Sequence, residues 1–200
     1  MMNKPLCVTS EDFVVAVKQF AVVNNQWSVK SVVAPGDNKE TVYLSRQISR
    51  SSAEPSGASV PNEDNIVEDD DAATLSTTNT QWICYQYSVV YSESYQVPVM
   101  YFTASWPDGR QLQVDQVWEQ VNPESAPGVV DKLSTLTQTE HPLLGIPCYH
   151  VHPCNTATLM ASVLNDDTSS DELTMKWQTR YLIMWLSLVS PLVNLPIMPP

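Results

Sequence analysis

The sequence predicts an α+β fold with a mainly antiparallel sheet. Three observations favour this class: helical periodicity near the N-terminus, two pairs of strand-like segments joined by turn residues, and strands that cluster before the final helices. Two hundred residues suffice for one domain with a core, so we expect a single domain over residues 1–200.

The N-terminal part predicts a helix followed by a β-hairpin. Ser10 is a candidate N-cap with acidic residues after it, and apolar residues then recur at helical spacing, which predicts a helix over 11–23. Residues 27–33 and 41–47 are rich in strand formers and flank a turn-forming cluster, which predicts the hairpin.

The composition changes at about residue 48. From there to residue 80 the chain consists mainly of Ser, Thr, Asn, Pro and acidic side chains, and Arg50 is the only basic residue. Such a stretch buries too little apolar surface to offset its ordering entropy. We therefore predict a disordered acidic insertion over 48–80.

Regular structure resumes at Trp82. Two long strands are predicted over 82–92 and 95–106, and Pro98 inside the second indicates an edge or a bulge. The remaining predicted elements are a short amphipathic helix over 112–121, strands over 133–137 and 146–151, and helices over 155–164 and 177–190.

Residues 181–200 contain no charged side chain and are numerous enough to cross a bilayer. Prolines break this stretch, and the first of them, Pro191, ends its helical part. We therefore expect a buried helix with an apolar tail packed on the domain, and no integral membrane span.

Charge and cysteine usage restrict the function classes. The net charge of −12 argues against nucleic-acid binding, which needs a basic face. The four cysteines lack framework spacing and residues 1–7 lack the apolar run of a secretory signal. We expect a cytoplasmic protein whose cysteines are thiols.

The heptapeptide 148–154 holds two of the four cysteines and two of the three histidines. Cys148, His150, His152 and Cys154 alternate, but a strand rises about 3.3 Å per residue and spreads four ligands over about 20 Å. A tetrahedral zinc needs all four within about 2.0–2.3 Å of one point. We therefore expect no metal and no cofactor, although a Cys/His metal-binding module stays an alternative.

Cys154 is the strongest candidate for a reactive thiol. It follows Pro153 and precedes a predicted helix, and a helix N-terminus stabilises a thiolate. A disulfide with Cys148 would need an oxidising compartment. A Cys-His hydrolase would need a base, for which His152 and His141 are the candidates.

Several blocks of sequence resemble the autophagy E2-like conjugating enzymes, in particular the autophagy-related protein 10 family. They are His152-Pro153-Cys154 with the preceding segment 138–147, and the segments 90–102, 108–119 and 185–189. The resemblance extends over residues 82–198.

The resemblance implies an E2-like fold with a four-stranded antiparallel sheet and flanking helices. It implies that Cys154 accepts a ubiquitin-like modifier, autophagy-related protein 12, as a thioester from an E1-like activating enzyme, autophagy-related protein 7. The modifier then passes to a lysine of autophagy-related protein 5. A non-catalytic E2-like adaptor that binds autophagy proteins is the alternative.

The chain departs from ordinary ubiquitin E2 enzymes at one position. They carry His-Pro-Asn upstream of the cysteine, and the Asn supports the oxyanion, whereas this chain has His141-Pro142-Leu143, and Leu143 has no donor. The candidates for oxyanion support or positioning are Tyr85, Tyr87, Tyr101 and Asn155, with His152 in a supporting role.

Overall fold

The computed structural model describes residues 8–33, 40–52, 81–121, 136–156, 159–160 and 176–196. These residues form an antiparallel sheet of six strands with helices packed on one of its faces. The predicted α+β class is confirmed, but the sheet is larger than the four strands that the resemblance implied. The hairpin formed by residues 136–140 and 147–151 pairs with the rest of the sheet over two residue pairs, Tyr101 with His150 and Phe102 with Tyr149.

The strands are β1 Ser28–Val33, β2 Glu40–Ser51, β3 Trp82–Ser92, β4 Val97–Ser105, β5 Leu136–Glu140 and β6 Pro147–Val151, in the spatial order β1-β2-β3-β4-β6-β5. The helices are α1 Ser10–Val23, α2 Val114–Gln120 and α3 Trp177–Val189, with 3₁₀ turns at Pro153–Asn155 and Ser190–Val193.

Helix α1 begins one residue earlier than predicted, because Thr9 rather than Ser10 is the N-cap. The Thr9 hydroxyl accepts the backbone N–H of Asp12 at 3.1 Å, and the Asp12 carboxylate accepts the N–H of Thr9 at 3.2 Å. This reciprocal capping box satisfies two donors that a helix start leaves free.

Helices α1 and α3 pack against each other and against one face of the sheet, called the core face here. Phe13 and Val17 of α1 and Trp185 of α3 are buried in the same apolar cluster as Tyr87 and Phe102. Because strand side chains alternate, the neighbours of these sheet residues point to the opposite, outer face.

The apolar tail after α3 packs on the domain as far as Pro196, as predicted. Val193 and Leu195 are buried, and the Tyr87 hydroxyl donates to the Val193 carbonyl oxygen at 2.9 Å. Arg50 donates to the carbonyl oxygen of Asn194 at 3.0 Å. No helix in the described ranges is both long enough and apolar enough to cross a membrane.

The boundary of the predicted insertion at residue 48 is too early. Strand β2 continues to Ser51 and pairs with β3 there, Ile48 opposite Tyr85 and Ser51 opposite Trp82. The polar residues Ser49 to Ser51 are ordered because the partner strand satisfies their backbone groups, and Ile48 also packs against the core. The rest of the predicted insertion, residues 53–80, lies outside the described residues.

The other predicted elements differ from the structure mainly in their ends. Strand β5 runs to Glu140, three residues beyond the predicted end at 137. Pro98 lies in β4 opposite Tyr91 of β3, at a position where β6 does not pair with β4, which agrees with the predicted edge.

Candidate active site around Cys154

Strand β6 leads the chain to Cys154. The Tyr149 side chain lies on the core face, where its hydroxyl donates to the Leu112 carbonyl oxygen at 2.9 Å. His150 lies on the outer face between Tyr101 of β4 and Thr137 of β5. The contact of Tyr149 with Leu112 therefore holds in place the strand that carries His150 and leads to His152.

Cys154 lies in the 3₁₀ turn Pro153–Asn155 at the end of β6. Pro153 occupies the first position of the turn, where its fixed φ is favourable and its missing N–H costs nothing. The His152 Nδ1 accepts the backbone N–H of Cys154 at 3.2 Å. The turn ends the strand and leaves the Cys154 side chain exposed.

The predicted helix over 155–164 is described only in part. The chain turns at Pro153, so Cys154 lies within the first turn and not before a helix. Residues 156, 159 and 160 are α-helical, and the other predicted helical residues after 156 lie outside the described part.

Cys154 is the exposed thiol among the three described cysteines, all of which are free. Cys84 is half-buried and Cys148 is buried, and burial raises the pKa of Cys148 to about 11. Cys148 therefore stays protonated at neutral pH, whereas a nucleophilic thiol must be accessible. Within the described ranges, no three His, Cys, Asp or Glu side chains are grouped to hold a metal ion.

Five aromatic side chains form a row that runs from beside Cys154 across the outer face. Tyr95 meets His152 edge-on at 5.8 Å between ring centroids, and His152 lies 5.9 Å from His150. His150 stacks on Tyr101 at 5.7 Å, and Tyr101 packs on His141 at 5.3 Å. We call these five residues the ring row.

Sequence reasoning missed Tyr95. It lies in the turn between β3 and β4 and is 46 % exposed. Nothing in its local sequence relates it to residue 152, because the contact arises from the pairing of β3, β4 and β6. The pattern of the hairpin alone could not reveal the contact.

His141 is a structural anchor and not an available base. Its side chain is 3 % exposed, and its Nδ1 accepts the backbone N–H groups of Leu143 at 3.2 Å and Leu144 at 3.3 Å. The ring also packs on Tyr43 at 6.1 Å, and burial lowers the pKa of His141. The alternative of a Cys-His hydrolase thus loses His141 as its base.

Two of the oxyanion candidates lie in the core. Tyr85 and Tyr87 are 1 % and 0 % exposed, they stack on each other at 5.8 Å, and burial raises the pKa of both hydroxyls. The Tyr87 hydroxyl is engaged by Val193. The sheet separates both side chains from the outer face, so neither is part of the site proposed below.

The other two candidates are Tyr101, on the outer face, and Asn155, which follows Cys154 in the chain. Tyr101 is half-buried on the outer face, where it stacks on His150. Burial raises its pKa, and Cys148 contributes in the same direction. Asn155 contributes its backbone to the 3₁₀ turn of Cys154, and its side chain is outside the described part.

The fold and site define a class of protein: an α+β domain that presents a free, exposed thiol from a turn at the end of a sheet strand. A family model described as "Autophagocytosis associated protein, active-site domain" matches residues 12–199. The chain belongs to this family. Its antiparallel α+β architecture is accordingly the E2-like fold that the resemblance implied.

Individual relatives agree with this assignment. The ubiquitin-like-conjugating enzyme ATG10 of Homo sapiens is 39% identical over 132 residues, which are 64% of this chain and 58% of the relative. The proteins of the same name from Dictyostelium discoideum and Arabidopsis thaliana are 36% and 35% identical over 127 and 114 residues. These two matches cover 58% and 56% of this chain, and 52% and 50% of the relatives. The chain thus spans about half the length of these curated relatives.

Proposed function

We propose that the chain is an E2-like conjugating transferase that carries a ubiquitin-like modifier as a thioester on Cys154 and passes it to a lysine. The observation that carries the proposal is the exposed, free Cys154 on a turn at the end of β6. Family membership and the names of the relatives support the same activity.

The chemistry balances without a cofactor. In the first step the Cys154 thiolate attacks the thioester carbonyl of the activated modifier, a new C–S bond forms, and the thiol of the activating enzyme leaves. In the second step a lysine amine attacks the Cys154 thioester, an isopeptide C–N bond forms, and the Cys154 thiolate leaves. The amine releases its surplus proton to solvent.

The partners in this proposal come from the resemblance. They are autophagy-related protein 7 as the activating enzyme, autophagy-related protein 12 as the modifier and autophagy-related protein 5 as the acceptor. A cytoplasmic location belongs to the same proposal, because a reducing compartment keeps the thiol free for thioester chemistry.

A gel assay tests the proposal. Wild-type protein is incubated with ATP, autophagy-related protein 7 and autophagy-related protein 12, and we expect an adduct that reductant cleaves. Cys154→Ser should form a reductant-resistant oxyester, and Cys154→Ala should form no adduct. Cys84→Ala is a matched control, because Cys84 is also a free thiol but is half-buried.

Two results would reject the hypothesis that the chain is a transferase. One is a wild-type protein that forms no reductant-sensitive adduct, and the other is an adduct that survives Cys154→Ala. An inert, buried Cys154 would have favoured the alternative of a non-catalytic adaptor, but the side chain is exposed.

A further inference from the structure

Two arginines of β2 lie on the core face of the sheet without a carboxylate partner. Arg46 and Arg50 are four positions apart on the strand, so both point to the face on which Ile48 packs against the core. Arg46 is 6 % exposed and Arg50 is half-buried. Within the described ranges neither forms an ion pair, although the chain has 22 acidic side chains. Buried cations normally have a counter-charge, so this pair calls for an explanation.

Neutral groups of the domain engage Arg46. Its Nη1 donates to the carbonyl oxygen of Pro196 at 3.5 Å, and its Nη2 donates to the side-chain oxygen of Gln26. Its guanidinium carbon lies 5.8 Å from the ring centre of Trp27. Burial lowers the pKa of Arg46, and the charge of Arg50 acts in the same direction. Arg46 therefore holds the tail after α3 and adds positive potential beside Arg50.

Arg50 uses one of its three side-chain nitrogens. Nη1 donates to the backbone carbonyl oxygen of Asn194 at 3.0 Å and also to the Asn194 side-chain oxygen. In the described part of the chain, no group accepts a hydrogen bond from Nε or Nη2 of Arg50. The N–H groups of Nε and Nη2 point the same way on the planar guanidinium, and such a fork binds a carboxylate through two parallel hydrogen bonds. Arg50 thus keeps a pair of donors for an anionic group.

Arg50 lines a cleft of about 380 Å³ together with Ser51, Glu119, Gln120 and Asn194, and we call it the Arg50 cleft. The hydroxyl of Ser51 and the amides of Gln120 and Asn194 are further donors for a carboxylate. Among the described lining residues Glu119 is the one carboxylate, and it forms no ion pair with Arg50. The lining therefore fits an acidic side chain that comes from outside the described residues.

The Arg50 cleft and Cys154 lie at opposite ends of the sheet. Ser51 pairs with Trp82 at the first residue of β3, whereas Tyr95, in the turn after the last residue of β3, contacts His152. A strand rises about 3.3 Å per residue, so the 11 residues of β3 separate the two places by roughly 30 Å. The proposed transfer chemistry at Cys154 therefore does not use this cleft.

The acidic stretch of the sequence begins and ends beside this cleft. The Ser52 N–H donates to the Gln81 carbonyl oxygen at 2.7 Å, so both ends of residues 53–80 lie next to each other, close to Arg50. The stretch holds seven acidic side chains and no basic one, and four of the seven are consecutive at residues 68–71, called the acidic run here. Ten residues lead from position 71 to Gln81 and span up to about 33 Å, so the run can reach Arg50. Attachment at both ends gives the run an effective concentration of the order of 1 mM.

We propose that the Arg50 cleft is a carboxylate-binding site whose ligand is the acidic run of the same chain. The Nε and Nη2 of Arg50 donate to the two oxygens of one carboxylate, and the positive potential of Arg46 attracts the other carboxylates of the run. Half-burial of Arg50 weakens the screening of this pair by salt. The contact holds the stretch 53–80 at the end of the sheet opposite Cys154, and it is independent of the proposed transferase function.

Side-chain NMR of the arginines tests the proposal. The Nε–H of each arginine gives its own signal, and Arg50→Lys identifies the signal of Arg50 by removing it. The full-length protein is compared with a run variant that carries Glu68→Gln, Asp69→Asn, Asp70→Asn and Asp71→Asn. We expect the Arg50 Nε–H of the run variant to exchange with water about two- to fivefold faster, which is the range for a partly screened ion pair. The Arg46 Nε–H is buried and has no partner among the described residues, so its exchange should not change.

Two matched variants remove negative charge without changing the run. Glu119→Gln neutralises the carboxylate that lines the cleft, and Glu63→Gln with Asp64→Asn neutralises two other acids of the same stretch. Both should leave the Arg50 exchange rate at the wild-type value. A run variant with an unchanged Arg50 signal, or a control that changes this signal equally, would overturn the proposal. Thermal unfolding of each variant checks that the fold is kept.

Addition of separate ligands to the run variant tests the source of the carboxylate. A peptide of residues 64–75 at about 1 mM, near the effective concentration of the attached run, should slow the Arg50 Nε–H exchange again. Equal slowing by inorganic phosphate at the same concentration would show a general anion site and reject the run as its ligand. The NMR experiment uses protein without modifier, so a wild type that forms no thioester would reject the proposed function and leave this site unaffected.

Discussion

Replacement of His141 by alanine should destabilise the domain, because one ring organises the loop that covers the outer face. The change removes the acceptor of two backbone N–H groups, those of Leu143 and Leu144. Each such hydrogen bond contributes about 1 kcal/mol net. The ring contacts with Tyr43 and Tyr101 add roughly 1 kcal/mol.

Together these losses amount to about 3 kcal/mol of unfolding free energy. For a chain of this size, 1 kcal/mol corresponds to about 2–4 °C in the melting temperature, so His141→Ala should melt roughly 6–12 °C below wild type. Urea unfolding followed by tryptophan fluorescence gives the same comparison as a free energy.

His141→Asn is the matched control. Its side-chain oxygen can accept the same N–H groups, so the share of the loss that comes from the hydrogen bonds, about two thirds, should be recovered. Two results would refute the reasoning: an alanine variant within 0.5 kcal/mol of wild type, which is roughly the usual scatter for surface substitutions, or an asparagine variant no more stable than alanine.

Three further predictions concern stability in urea. Burial lowers the pKa of His141 and His150, so near and below about pH 6.5 the unfolded chain binds more protons than the folded chain. The stability that these two histidines contribute should be constant well above that pH and should fall as the pH drops below it, and a rise in stability on acidification would contradict this. Tyr87→Phe leaves the Val193 carbonyl oxygen buried without its donor and should cost about 1–2 kcal/mol, and an unchanged urea midpoint would show that the hydrogen bond contributes nothing. Gly145 has φ +64° and an added Cβ meets nothing closer than 3.6 Å, so Gly145→Ala should cost roughly 1–2 kcal/mol through the backbone alone, and a variant as stable as wild type would disprove the strain.

Local sequence patterns predicted the elements well where periodicity and turn residues agreed. Helix α1, the hairpin of β1 and β2, and the paired strands β3 and β4 were predicted within a few residues of their observed ends. The end of β2 was misplaced because its last three residues, Ser49 to Ser51, are polar and are ordered by their pairing with β3. The composition of a segment shows how polar it is, but it does not show which strand the segment pairs with.

The sequence could single out Cys154 as the candidate nucleophile, a role that stays a prediction, but it showed little of the surroundings of this residue. Cys154 could be identified because a proline precedes it and the other described cysteines lie in apolar strand patterns. The roles of the tyrosines depended on which face of the sheet each one occupies. Tyr87 of β3 lies on the core face and Tyr101 of β4 lies on the outer face. A shift of one residue in the register of either strand would have moved its tyrosine to the opposite face.

The sequence by itself determined the α+β class, most of the elements and the thiol at Cys154, because helical and strand periodicity and the Pro-Cys pair are local properties of the chain. Only the tertiary structure decided which side chains surround that thiol. The contact of Tyr95 with His152, and the burial of His141 under its own loop, arise where strands distant in sequence pair with one another. A local pattern has no means of encoding a distance between such strands, and that distance determines which side chains lie near Cys154.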